Sequence, residues 1–241
     1  MFDAKKLLDQ FLGSQMSGKS GLGQSGGMGG MLGKAGQFGD IAKNNPLKTA
    51  GIAAALLGTK TGRKLAGNVA TVGGIAAIAG LGYLAYKNYQ SGQAPQSAAQ
   101  KEPEILPPPT SSPFSLQSPA LTNDFALTLI RAMIAAAKAD GHIDAAERAN
   151  IMDKVHAVDL GAEAEAFIAN ELANPVDIDD LVAAARTEEQ KVELYTATRL
   201  TIDPDTRAER GYLDLLAGRL GLPDALLDHI DATVASAKVP A

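Results

Sequence analysis

The sequence predicts an all-α protein made of a single transmembrane helix, a proline-rich linker and a compact bundle of about seven helices. Three observations carry this. Residues 65–86, LAGNVATVGGIAAIAGLGYLAY, form a 22-residue run whose only ionisable side chains are two tyrosines. Seven prolines fall between Pro95 and Pro119. From Leu121 onward apolar residues recur at helical spacing, broken by turn residues every dozen positions or so, and no convincing strand appears.

Charge and glycine divide the chain in two. Residues 1–120 carry 11 Lys+Arg against 5 Asp+Glu, a net of +6, whereas 121–241 carry 11 against 22, a net of −11. Of 25 glycines, 20 lie in the first half, where each interior one weakens a water-exposed helix by about 1 kcal/mol. The chain has no cysteine, which excludes disulfides, thiol catalysis and thiolate zinc sites. The start, MFDAKKLLDQFLG, has charges at Asp3, Lys5, Lys6 and Asp9 and no uninterrupted apolar stretch after them, unlike a secretory signal.

Residues 1–45 read as a short amphipathic helix on Phe2, Leu7, Leu8, Phe11 and Leu12, followed by a flexible Gly/Ser/Met tract. Gly18-Lys19-Ser20 within it lacks the earlier glycine, the strand and the helix of a phosphate loop. Residues 46–90 read as the membrane anchor. A 22-residue helix reaches roughly 33 Å, enough to cross a hydrocarbon core of about 30 Å. Tyr83, Tyr86 and Tyr89 sit where an aromatic belt meets the interface. Small residues four apart, Gly58, Gly62, Ala66, Ala70 and Gly74, resuming at Gly82, predict close helix pairing and a homo-oligomer. The apolar segment 49–59 is too short to span alone. Lys43, Lys48, Lys60, Arg63 and Lys64 precede the span, with only Lys87 and Lys101 soon after it. This places the N-terminus in the cytoplasm and the acidic domain outside, in the periplasm if the cell is Gram-negative, and the orientation reverses if 49–59 also crosses as part of a hairpin. Residues 91–120 read as a semi-extended spacer.

In the domain at 121–241, helices are expected at 122–139, 144–157, 162–173, 177–185, 188–201, 206–220 and 223–237. Phe125, Leu129, Met133 and Ala136 line one face of the first, and Leu213, Leu216 and Leu220 line the sixth. A domain of this size builds an adequate core without metal.

The stretch AKADGHIDAAERANI (137–151) resembles the back of a calcium loop, but the first two ligand positions would be Ala136 and Lys138, so a standard EF-hand is rejected. Asp144-x-x-Glu147, Thr187-x-x-Gln190 and Thr206-x-x-Glu209 each have the form of a helix N-terminal capping pair. Capping leaves a surplus of carboxylates at Asp140, Asp203 and Asp205. The groups Asp140/Asp144/Glu147 and Asp203/Asp205/Glu209 would pool oxygens for Ca²⁺ or Mg²⁺ if the fold brought them together. His142, His156 and His229 lack zinc-ligand spacing.

AKADGHIDAAERANI, followed by TIDPDTRAERGYLDLLAGRLGLP, resembles the paired motifs of the TerB-like, tellurite-resistance-associated helical domain. With FDAKKLLDQFLGS and the glycine-rich tract, the chain is similar to the YebE-like inner-membrane proteins of the domain-of-unknown-function 533 family. The resemblance implies an all-helical domain with candidate metal ligands Asp140, Asp144, Glu147, Asp205 and Glu209, a link to envelope or metal stress, and no established catalysis. Asp203-Pro204-Asp205 departs from the second Asp-Gly of such motifs, which weakens the second site.

No Ser/His/Asp or Cys/His arrangement can be assembled. The expected function is therefore a non-enzymatic, membrane-tethered interaction or sensing module that binds a protein partner and a divalent cation. The alternatives are a structural oligomerising membrane protein and a metal-dependent hydrolase. A domain at −11 repels nucleic acid.

Overall fold

The computed structural model describes residues 74–95, 107–139, 143, 148–149, 151–152, 156, 162–175 and 177–238, together with Lys5. Among the described residues there are seven helices and no strand: α1 (Gly74–Gln90), α2 (Asn123–Ala137), α3 (Ala162–Ala173), α4 (Ile178–Ala184), α5 (Glu188–Thr201), α6 (Arg207–Leu220) and α7 (Asp224–Lys238). Helices α2 to α7 match six of the seven segments expected from spacing. The expected helix 144–157 lies largely outside the described residues, although 148–149, 151–152 and 156 are helical and Ile151 is buried.

The helix ends follow local chemistry. Thr122 Oγ1 accepts from Phe125 N at the start of α2. Thr187 with Gln190 and Thr206 with Glu209 form complete capping boxes on α5 and α6. Helix α6 stops at Gly221, whose φ of 68° is left-handed, and Leu222 N then donates to Ala217 O at 3.2 Å.

Helix α5 is the axis of the molecule and packs against α1, α2, α6 and α7. From Val192 to Thr201 every residue of it is buried, polar ones included. Helix α1 lies across α5 and α7. Its Ile75, Ala77, Ile78, Leu81 and Ala85 are between 0 and 4% exposed and belong to the same core as Leu129, Leu194, Leu216 and Ile230.

This corrects the membrane reading where the structure bears on it. Ile75, Ala77, Ile78, Leu81 and Ala85, expected within the span, are buried in protein while Leu84 is half-buried, and among the described residues no helix is long and apolar enough to cross a membrane. Residues 65–73 and the segment 49–59 lie outside the described residues. The expected aromatic belt is internal packing: Tyr83 and Tyr86 meet the Phe114 ring at 6.1 and 5.5 Å between centroids, and Tyr89 meets His229 at 6.1 Å. Gly82 of the small-residue stripe faces α5. A Cβ there would stand 3.4 Å from Val192 Cγ1 and 3.5 Å from Thr196 Oγ1, ordinary contact distances, so this position of the stripe faces protein inside the domain.

The second half of the expected spacer is also part of the fold. Residues 107–121 form a strap of turns, tied by Ser112 N to Pro109 O, Ser115 N to Ser112 O and Ser118 N to Ser115 O. Phe114 is 2% exposed beneath it, and Gln190 Nε2 donates to Ala120 O at 2.8 Å. The folded unit thus takes in α1 and the strap as well as the helices after Leu121.

Candidate functional site

The acidic start of α6 was singled out by its carboxylates, and the structure engages most of them. Glu209 is 8% exposed, and its Oε2 accepts from Thr206 N and Thr206 Oγ1, both at 2.9 Å. Its own N–H is bonded to Thr206 Oγ1 at 3.1 Å. Arg210 Nη1 donates to Pro204 O at 2.8 Å and Asp205 O at 3.1 Å, holding the approach to the helix. Asp205 is exposed.

Asp203, the surplus carboxylate, has an internal role that spacing did not reveal. Lys238, at the end of α7, is 6% exposed and donates Nζ to Asp203 Oδ1, Arg199 O and Ile202 O, each at 3.0 Å. Arg199 donates Nε to Asp231 Oδ1 at 3.1 Å and Nη1 to Ile202 O at 2.8 Å, with Asp203 Oδ1 at 3.6 Å. Two cations and two anions therefore close the C-terminus of α5, satisfying carbonyls that a helix end leaves without partners. Burial outweighs Asp203 and pulls the Lys238 ammonium down to about 8, with Arg199 adding to the depression.

The C-terminus of α3 is treated alike. Lys138 Nζ donates to Glu171 O, Leu172 O and Asn174 O, at 2.6 Å for the last, and Arg148 Nη2 donates to Leu172 O at 3.1 Å. Burial, then Arg148, lower the Lys138 pKa. Lys138, which breaks the calcium-loop pattern, is thus a helix C-cap.

Of the five expected metal ligands, Asp140, Asp144 and Glu147 lie outside the described residues, as does His142. Asp205 and Glu209 are described, and among the described residues no group of three or more His, Asp or Glu side chains is placed to hold an ion. With Glu209 in its capping box and Asp203 on Lys238, the donors present do not fit a multi-carboxylate cation site at this start. His156 Nδ1 lies 2.8 Å from Glu165, and His229 is packed under Tyr89. An open cleft of about 290 Å³ lies beside His229, lined also by Tyr89, Gly92 and Asp228.

Sequence reasoning missed Arg199, Lys238 and Glu193. Glu193 of α5 is 6% exposed, and burial, reinforced by Glu189, pushes its carboxyl up to about 8. For Arg199 and Glu193 the signal was a polar sequence in a helix that nothing local marks as central, and Lys238 stands at the end of another, α7.

The fold and charge cluster define an all-helical domain in which α1 and the helices after Leu121 are one unit and the buried charges hold helix ends. The chain belongs to the family described as Protein of unknown function (DUF533), whose match covers residues 42–234 and so takes in every helix from α1 almost to the end of α7. It is 30% identical over 110 residues to a Yersinia enterocolitica protein described as an uncharacterized protein in the ampR 5' region, covering 46% of this chain and 79% of that protein. No solved structure matches.

Proposed function

We propose that this chain is a non-enzymatic interaction module, attached to an anionic membrane surface by the segment ahead of α1 and presenting an acidic helical domain to a basic protein partner. The observation that carries the reading is the capture of α1 by the domain core. The apolar sequence remaining for a bilayer is then 49–73, interleaved with Lys60, Arg63 and Lys64 and preceded by Lys43 and Lys48. An apolar segment with cations suits the interface plane, where each basic residue contributes about 1 kcal/mol of attraction to anionic lipid. The net of −11 after Leu121 turns the domain away from that surface and toward cationic partners. In this reading the domain and the basic segment lie on the same face of a bacterial cytoplasmic membrane. The divalent cation is left out of this reading: Glu209 caps α6, and Asp140, Asp144 and Glu147 lie outside the described residues.

Sedimentation of the full chain with vesicles tests this. Binding is expected to vesicles of mixed zwitterionic and anionic lipid, to weaken at high salt, and to fall by about a hundredfold in the triple variant K60Q/R63Q/K64Q. Equal binding to purely zwitterionic vesicles, or retention in cell membranes after alkaline carbonate washing, would replace this reading with a spanning anchor.

A further inference from the structure

The end of α1 and the first turns of α7 line the open cleft beside His229. Ala225, Asp228 and His229 stand at i, i+3 and i+4, one face of α7. Tyr89 comes from the last turn of α1. Beyond it Gly92, at φ 66°, turns the chain, with Gly92 N donating to Tyr89 O at 3.1 Å and Gln93 N to Asn88 O at 3.2 Å, and Pro95 adds to the lining.

Two groups in this cleft lack what their neighbours have. His229 is 5% exposed, yet its ring makes no hydrogen bond among the described residues: it meets the Tyr89 ring at 67°, and the Thr233 hydroxyl donates only to its carbonyl. Among the described residues the sealed side-chain atoms without a partner are Thr196 Oγ1 and Tyr212 OH, so the His229 nitrogens keep contact with the surface, and the cleft is the opening this residue lines. Asp228 is exposed and forms no ion pair among the described residues, whereas Asp231 on the same helix answers Arg199 and Asp203 answers Lys238.

The chemistry selects the occupant. Asp228 and His229 are two donors, and no third His, Asp or Glu joins them among the described residues, which is too few for a protein-held metal ion. An anion would face Asp228, and Asp224 in the first turn of α7 already answers that helix's N-terminal dipole. A cation meets the opposite conditions: the Asp228 carboxylate, the Tyr89 ring, an imidazole nitrogen that accepts when neutral, and the C-terminal, partly negative end of α1. Lys87 of that last turn does not supply the cation, since it lies over the Tyr83 ring at 6.0 Å. The cleft's volume of about 290 Å³ falls at the bottom of the range of about 300–1,000 Å³ that holds whole small molecules, and it suits one side chain inserted from outside.

We propose that this cleft receives an arginine side chain of a basic protein partner, the guanidinium pairing with the Asp228 carboxylate, donating to the His229 ring and lying against Tyr89. The proposal rests on the basic partner proposed above and names where that partner is held. A planar guanidinium with five donors serves a carboxylate, an imidazole and a ring face together, whereas the compact, strongly hydrated lysine ammonium does so less well.

The chain has three histidines, so the full-length protein labelled with ¹³C at histidine gives three sets of ring signals, and that of His229 is recognised by its through-space signal to Tyr89. Capped Gly-Arg-Gly, titrated at constant ionic strength to about 20 mM, beyond the millimolar affinity that one side chain supplies, is expected to shift the His229 signal saturably. Capped Gly-Gly-Gly should leave it in place, and capped Gly-Lys-Gly should bind about threefold more weakly or worse. Loss of the charge in D228N should weaken Gly-Arg-Gly by about tenfold. A225L fills the cleft at an exposed position without changing charge and should weaken it by a similar factor, while D180N, the same charge change at an exposed site on α4, should alter it by no more than about twofold. A His229 signal that does not move, equal binding of the lysine peptide, or binding that survives D228N and A225L would each overturn the arginine site. In the last case a loss in D180N as large as in D228N would show diffuse attraction to the acidic surface, which leaves the basic partner standing without this cleft. A hexa-arginine peptide that fails to bind the full chain at low salt would remove both.

Discussion

Lys238 shows how much one side chain can contribute when its partners are backbone. Its ammonium satisfies two carbonyls at the end of α5 and a carboxylate at 3.0 Å each, in a setting that is 6% exposed. Replacing it by Met keeps the aliphatic stem but leaves those carbonyls and Asp203 beside an apolar group. Removing one partner of a buried charge cluster costs about 3–5 kcal/mol. Lys238→Met is therefore expected to lower unfolding stability by about 3 kcal/mol at pH 7, read from the urea midpoint followed by circular dichroism. The pH sign is fixed by a folded pKa of about 8 against 10.5 unfolded. The folded state binds fewer protons between those values, so the cost of burying the ammonium is fully present below about pH 8 and is relieved as pH rises toward 10.5. The wild type gains that stability and the Met variant does not, so the penalty for the substitution should be larger at pH 9.5 than at pH 7. A difference between wild type and variant that is the same at both would remove this account of the cluster.

At the level of elements, Gly82 decides whether α1 is read as a membrane helix or a core helix. A methyl group there meets Val192 Cγ1 at 3.4 Å and Thr196 Oγ1 at 3.5 Å, which is contact without collision. Gly82→Ala is therefore expected to be near neutral or stabilising by up to about 1 kcal/mol, from helix propensity. Gly82→Leu forces a branched side chain into the α1–α5 seam and should cost about 1–3 kcal/mol by overpacking. A thermal melt of both variants checks this, and a Leu variant as stable as wild type would separate α1 from α5. The same element shows what the sequence could and could not disclose. Helices α2 to α7 were readable because their boundaries are local: Thr187 and Thr206 announce capping boxes, and Gly221 and Pro223 punctuate the turn between α6 and α7. Helix α1 was misassigned because an uncharged Gly/Ala helix has the same composition whether protein or lipid covers it. Nothing in EEQKVELYTATRLT marked α5 as central, because its Gln190, Arg199 and Thr198 find their partners in Ala120 O, Asp231 and Leu194 O, two of which are remote in sequence. Glu209 was legible as the capping partner of Thr206, and Asp203 as a carboxylate beyond what a cap requires. That Asp203 answers Lys238, 35 positions away, is a tertiary fact no spacing rule contains.

For the whole molecule, the position of α1 determines what can fold. Without it, the faces of α5 and α7 that it covers would expose Val192, which abuts Gly82, and His229, which packs on Tyr89, both buried here, while Gln190 would lose the strap carbonyl if the strap were removed as well. Large apolar faces without cover cost on the order of 25 cal/mol per Å² of surface returned to water, which is substantial against a net stability of only about 5–15 kcal/mol. A fragment of residues 121–241, cut where the composition changes, is therefore expected to lack a cooperative urea transition and to bind the apolar-surface dye ANS, as a loosened helical state does. A fragment of residues 74–241 should unfold in one sharp transition with little dye binding, because it restores α1 and the strap to the same core. Supplying a synthetic peptide of residues 74–95 to the shorter fragment should recover part of the helix signal if the seam is a true packing surface. If instead residues 121–241 unfold cooperatively with the same midpoint as 74–241, α1 contributes nothing to the core that it is seen to enter, and the segment would be free to leave for a bilayer at no cost to the rest of the fold.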